Sequence, residues 1–172
     1  MSTANHSWST EDSSRGDESP GHGTNPQVPY VQGGMELSGA VEFARANRKS
    51  VLITIRSNGR PQLSNVMHHV FDDGLIRISI TADRAKYRNL LREPWAALHV
   101  TRDDFFAYAV LEGDVELSPV ATRADDATVD ELVEYYRALQ GEHQDWNAYR
   151  AAMVADRRVV VRFRPTRAYG ML

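Results

Sequence analysis

The fold class predicted by this sequence is a small closed antiparallel β-barrel with peripheral helices, α+β in type. Three observations predict it. Short apolar-alternating runs follow one another with turn signals between them, and a helical segment interrupts them only after the third. The βαβ alternation and the glycine fingerprint of a dinucleotide fold are both absent. Five or six strands in a meander close most readily as a barrel.

The chain has 172 residues, 42% of them hydrophobic, enough for one core. Composition shifts near residue 35. Residues 1–34 are rich in Ser, Gly, Asn, Pro, Asp and Glu, and carry too little apolar surface to offset their ordering entropy. They are expected to be a disordered extension, with 35–172 as the folded domain. No apolar run approaches the ~20 residues of a membrane span, and the N-terminus lacks the apolar stretch of a signal peptide. The expectation is a soluble, cytoplasmic protein. With no cysteine there is neither a disulfide framework nor a thiolate metal site. A net charge of −3 argues against a general nucleic-acid binder.

The folded part opens with a helix over residues 37–47, with Val41, Phe43 and Ala44 on its buried face. V-L-I-T-I-R then reads as a strand, and Asn58-Gly59 is the hairpin signal after it. The return strand spans Gln62 to Phe71 and ends at the turn Asp72-Asp73-Gly74. Leu75 to Ile80 alternates, placing Ile76, Ile78 and Ile80 on one face and Arg77 and Ser79 on the other. Tyr87, Leu90 and Leu91 form the apolar stripe of a helix of about two turns, stopped by Pro94. Two strands follow, Ala96 to Thr101 and Phe106 to Leu117, joined through Asp103-Asp104. Asp125-Asp126 open a helix through Leu139, and the loop G-E-H-Q-D-W leads to another ending near Ala155. The last strand, R-V-V-V-R-F, ends at Pro165.

One stretch, S-I-T-A-D-R-A-K-Y-R-N-L-L-R-E-P, is built against electrostatics. A helix N-terminus carries partial positive charge, so cations there cost about 0.3–1 kcal/mol each unless an anion offsets them. Here Arg84, Lys86 and Arg88 occupy the first turn. Of the 20 basic residues, all but Lys49 and Lys86 are arginine. That Lys86 stands out from them suggests a use for a compact ammonium. Two readings stand: the backbone amides with Arg84 and Lys86 hold a phosphate or carboxylate, or the turn is a solvated basic face. Arg84, Arg88 and Arg92, at i, i+4 and i+8, suit the solvated face; Lys86 points elsewhere. His68-His69 is no metal pair, since adjacent strand residues face opposite ways, and no metal site is expected.

G-R-P-Q-L-S-N after an Asn-Gly turn, I-S-I-x-x-x-R-A-K-x-R-N-L, Y-A-V-x-E-G, the G-E-H-Q-D-W loop and D-R-R-V-V-V with a terminal A-Y-G recur in one order. Over residues 36–172 this arrangement resembles the pyridoxamine 5'-phosphate oxidase-like split-barrel family, nearest its branch using the deazaflavin coenzyme F420. The resemblance implies a split β-barrel of the flavin-reductase type, homodimeric, with cofactor at the interface. It places the cofactor phosphate at Arg84, Ala85 and Lys86, with Asn89 one turn later. Ser79 and Thr81 would contact phosphate or ribityl chain, and Gln62, Ser64 and Asn65 the ring. Phe106 and Tyr108 would pack near the ring from the partner subunit; Phe106 stands where close relatives often carry Trp. Read by themselves, Gln62 and Asn65 are ordinary strand polar residues, and Phe106 and Tyr108 core or interface aromatics.

A deazaflavin has carbon in place of flavin N5, so the implied activity is two-electron hydride transfer to a conjugated small-molecule acceptor such as an enone, quinone or tetrapyrrole. By residue type, Tyr108 and His143 are candidate proton donors, as is solvent. FMN is the alternative cofactor. A non-catalytic carrier or store of the deazaflavin is the alternative of another class.

Overall fold

The computed structural model describes residues 35–172, so the extension expected over 1–34 lies outside the described residues. Among these residues the elements run α1 (Leu37–Ala46), β1 (Lys49–Ile55), β2 (Pro61–Met67), β3 (His69–Val70), β4 (Ile76–Thr81), α2 (Ala85–Arg92), β5 (Trp95–Thr101), β6 (Tyr108–Leu117), α3 (Ala127–Gln140), α4 (Trp146–Ala155) and β7 (Arg158–Met171). All strands join one antiparallel sheet in the order β2-β1-β5-β6-β7-β4-β3.

That order forces a curl. Strands β2 and β3 are the two edges of the sheet, yet only His68 separates them in the chain. A flat sheet of this order would hold its edges roughly 29 Å apart at ~4.8 Å per strand. The sheet therefore bends until its edges meet at His68, as a half-barrel with peripheral helices. This is the split β-barrel with peripheral helices that the resemblance implies, open rather than fully closed: among the described residues no ladder links β2 to β3 or β4, and beyond the link the edges part.

His68 fixes the corner. The expected single strand from Gln62 to Phe71 breaks there because pairing passes from β1 to β4. The fully buried ring has Nε2 3.0 Å from the Ala44 carbonyl, so Nε2 carries the proton and Nδ1 accepts from the Ser50 hydroxyl at 2.8 Å. Burial pushes its pKa down from 6.5 to about 4. The unfolded chain therefore binds the proton more readily than the folded one. Stability should be complete above about pH 6.5 and fall toward pH 4, by up to about 1.4 kcal/mol per unit. Urea unfolding of the parent and His68→Gln across that window checks this; the variant should lose the His68 share of the slope, and equal slopes would refute the assignment.

The rest of the core follows the alternation. Ile76, Ile78 and Ile80 are buried with Leu52, Leu98, Leu111, Val161 and Phe163, and α1 closes one side with Ala40 and Ala44. Two expectations change. In α2 it is Asn89 and Leu90 that are buried, whereas Leu91 is exposed. Strand β7 passes Pro165 and continues to Met171, because a bulge accommodates the proline: Gly113 faces Pro165 and Glu112 faces Arg167, leaving Thr166 as the extra residue. The crossing is so tight that a Cβ on Gly113 would lie 2.0 Å from the Arg164 carbonyl oxygen.

Helices α3 and α4 lie against β7 and β4. Each begins with an aspartate cap, Asp126 accepting from the Val129 amide at 2.8 Å and Asp145 from that of Ala148 at 2.9 Å. Glu131 of α3 meets Arg77 of β4 and Arg162 of β7, each at 2.7 Å.

Candidate functional site

Where β2 and β4 part, the split opens into a cleft of ≈590 Å³. Asn65, Val66 and Met67 of β2 form one wall, with Ser79, Ile80 and Thr81 of β4 opposite. Tyr136 and Tyr149 close it from α3 and α4, and Arg84 and Lys86 stand at the start of α2. The Tyr135 hydroxyl bridges β2 and β4, donating to the Met67 carbonyl at 2.8 Å while the Ser79 amide is directed at the phenolic oxygen itself. Burial pushes the Tyr135 hydroxyl up to about 12, with the Ser79 amide opposing the shift.

The helix α2 begins unlike α3 and α4. Its cap residue is Arg84 and, as in α1, no side chain caps it; as in α1 and α4, its first turn holds no acidic residue. Among the described residues, the amides of Ala85 and Lys86 find no acceptor and the Lys86 ammonium makes no hydrogen bond or ion pair. Burial, with the Arg84 guanidinium beside it, pushes the Lys86 ammonium below its ordinary value. The partly desolvated Lys86, next to two free backbone donors, thus lines one cleft with Arg158, a β7 residue opposite Thr81 in register. Sequence reasoning missed Arg158, since only strand pairing brings it here. Two carboxylates already engage these cations: Asp83, 3.8 Å from Arg84 Nε and hydrogen-bonded by the Thr81 hydroxyl, and Asp156, 3.0 Å from Arg158 Nη2.

The other expected site residues divide. Asn89 lies below the cleft, its amide nitrogen 3.0 Å from Thr54 Oγ1 and 2.9 Å from Gln62 Oε1. Gln62 and Ser64 occupy one face of β2, half-buried, and Asn65 the opposite, exposed face. Tyr108 opens β6 with its ring 5.7 Å from that of His99. Phe106 is not on the strand but in the β5–β6 turn, 75% exposed, after Phe105 at φ 64°. The Asp104 carboxylate receives the Phe106 amide there and holds the turn. His143 packs among Tyr136, Trp146 and Tyr149, with centroids 5.2–5.6 Å away, and its Nδ1 accepts the Asp145 amide. It does not line the cleft. Arg88 and Arg92, assigned to a solvated face, are exposed, and from there they also donate to the Asp83 and Ile55 carbonyls.

A second, mostly apolar cavity of ≈500 Å³ lies on the other side of β2. It shares Asn65, Val66 and Met67 with the cleft and adds Val51, His99 and Thr101. Nothing in the alternation marks it, because its residues come from three strands.

Residues 39–172 match the family described as pyridoxamine 5'-phosphate oxidase. The chain belongs to the pyridoxamine 5'-phosphate oxidase family. Solved structures carry the fold of this pyridoxamine 5'-phosphate oxidase family chain in different settings. An F420 reductase aligns with a TM-score of 0.59 at 25% identity, over 76% of this chain and 96% of that one. The heme storage protein HutZ of Vibrio cholerae gives 0.59 at 16%, over 80% and 96%. A pyridoxamine 5'-phosphate oxidase-related, FMN-binding protein of Nostoc punctiforme gives 0.53 at 16%, over 77% and 80%. At their identities, the last two establish shared fold alone. No helix among the described residues is long and apolar enough to cross a membrane.

Proposed function

We propose that this protein is an oxidoreductase that uses reduced coenzyme F420 as hydride donor to a conjugated small-molecule acceptor. The observation that carries the proposal is the start of α2, where Arg84 and Lys86 line the cleft and the amides of Ala85 and Lys86 have no acceptor among the described residues. A cofactor phosphate supplies the missing charge and the missing acceptors together. The likeness to an F420 reductase supports the deazaflavin over FMN. When bound, the reduced deazaflavin contributes two electrons and a hydrogen as hydride.

The chain's own residues bind and orient. Arg84, Ala85 and Lys86 hold the phosphate, with Arg158 as a further cation; Ser79 and Thr81 flank it. Asn65, reaching both cavities, and Gln62, steadied by Asn89, meet the polar edge of the ring through amides able to donate and accept. The assembly is a homodimer with Phe106 and Tyr108 of a second copy beside the ring. Exposed Phe105 and Phe106, in the β5–β6 turn, supply apolar surface for that contact. Arg60, Arg48 and Lys49 are candidates for the cofactor's acidic oligoglutamyl tail; Arg48 also donates to the Ala138 carbonyl, and Lys49 lines the second cavity.

A carrier would leave no open space beside the ring, whereas hydride transfer needs room for an acceptor. The second cavity across β2 favours catalysis on that ground. Fluorescence titration with F420 and FMN tests the reading: the colourless protein should bind F420 more tightly, and light scattering should report a dimer. Yellow protein with stoichiometric FMN, or a monomer that binds F420 normally, would overturn the respective claim.

A further inference from the structure

The second cavity has its own polar geometry. Strand register sets Asn65, Val51 and His99 side by side, since Val51 pairs with Asn65 on β2 and with His99 on β5. All three line the cavity, so they share one sheet face. Two strand spacings put Asn65 and His99 about 10 Å apart with Val51 between them, a span that fits a flat ring system. His99 is half-buried, rests against the Tyr108 ring at 5.7 Å, and makes no hydrogen bond with any described residue. It is a directed polar group in an apolar bed, placed beyond the residue that borders both cavities.

We propose that this cavity is the acceptor subsite and that His99 is its catalytic acid. The site takes a planar, uncharged, conjugated carbonyl compound lying on Val51 and Met67, its oxygen hydrogen-bonded by the His99 N–H. The proton step rests on the hydride-transfer reading above. Hydride from the reduced deazaflavin adds to the conjugated carbon and forms the new C–H bond. The carbon–carbon π pair moves and leaves the carbonyl oxygen with a negative charge. That oxygen takes the His99 proton, and the imidazole regains one from water at the open mouth. The acceptor gains two electrons and two hydrogens, and the cofactor loses two electrons. His143, within the α3–α4 aromatic cluster, takes no part.

Menadione is the probe, and the unaltered protein with nitrogen-labelled histidine the first sample. Adding it without cofactor should move the His99 ring resonances, assigned by their loss in His99→Gln, and leave those of His68 and His143 in place. His99→Leu should weaken menadione binding by roughly three- to tenfold and leave the F420 dissociation constant within about twofold. His99→Gln keeps a donor but has no transferable proton, so it should recover binding and still lose roughly a hundredfold in kcat. Unmoved His99 resonances at saturating menadione would overturn the proposal, and a second copy covering the cavity would give that result. Parent-like menadione binding by His99→Leu, or loss of its F420 binding, would overturn it too. If menadione moves His99 while the parent fails to bind F420, the subsite stands and the cofactor assignment falls.

Discussion

Lys86→Ala is expected to weaken F420 binding ten- to a hundredfold, the loss of a charge-assisted hydrogen bond worth ~1.5–3 kcal/mol. The expectation follows from what the ammonium lacks. It is partly buried beside the Arg84 guanidinium and makes no hydrogen bond or ion pair among the described residues; the Asp83 carboxylate opposes only part of that cost, and a bound anion would offset the rest. Lys86→Arg should also weaken binding, because a longer planar fork does not fill the position of a point charge. Folding should hardly change, since removing a cation from a helix start is itself mildly favourable. Arg92 is unsuitable as a control because it holds the Ile55 carbonyl. Arg123, paired with Asp125 on the surface and outside both cavities, serves instead. Equal F420 affinity in Lys86→Ala, Arg123→Ala and parent would leave the basic turn as a solvated face.

Glu131→Ala should be the most damaging single change to stability outside the core, costing about 2–4 kcal/mol. Its side chain is 12% exposed and receives Arg77 and Arg162, each at 2.7 Å. Burial works to raise its pKa, but the hydrogen bonds from Arg162 and Arg77 outweigh it and hold the carboxyl below the ordinary range. Removing it leaves two guanidiniums facing each other where α3 meets β4 and β7. Asp73 and Glu116 remain to Arg77 and Arg162, which keeps the loss below that of a fully stranded pair. Urea unfolding measures it, with Glu134→Ala on the exposed side of the same helix expected within about 0.5 kcal/mol of parent. A similar small change in both variants would show that packing alone docks α3.

Much of this was legible because its causes are local. Isoleucine alternation gave β4, Asn58-Gly59 gave the first hairpin, and Asp126 with the apolar spacing after it gave α3. What stayed hidden depends on distant partners. The corner at His68 leaves the alternation unbroken, since the change is in which strand is paired. Pro165 looked like a stop because the glycine that lets β7 pass it lies far back, on β6. Phe106 looked like strand on aromatic propensity, but the carboxylate of Asp104 and the positive φ of Phe105 hold it in a turn. At the candidate site, the basic turn was visible from its charge against the helix dipole. Arg158, His99 and the second cavity were not, because they exist only once strands from opposite ends of the chain lie side by side.

The edge position of β2 has a consequence for local opening. Its backbone is tied to β1 on one side, while most of its other side borders the cleft, apart from the single hydroxyl of Tyr135. Strands held by one ladder lie at the low end of the opening free-energy scale, so β2 amides should exchange with solvent sooner than those of β5 or β6. Gln62, Ser64 and Asn65 all ride on this strand. A ligand touching both β2 and β4 would act as the missing ladder, and whatever it gained in affinity would reappear as slower exchange along β2. Affinity and rim rigidity would then be two readings of one equilibrium.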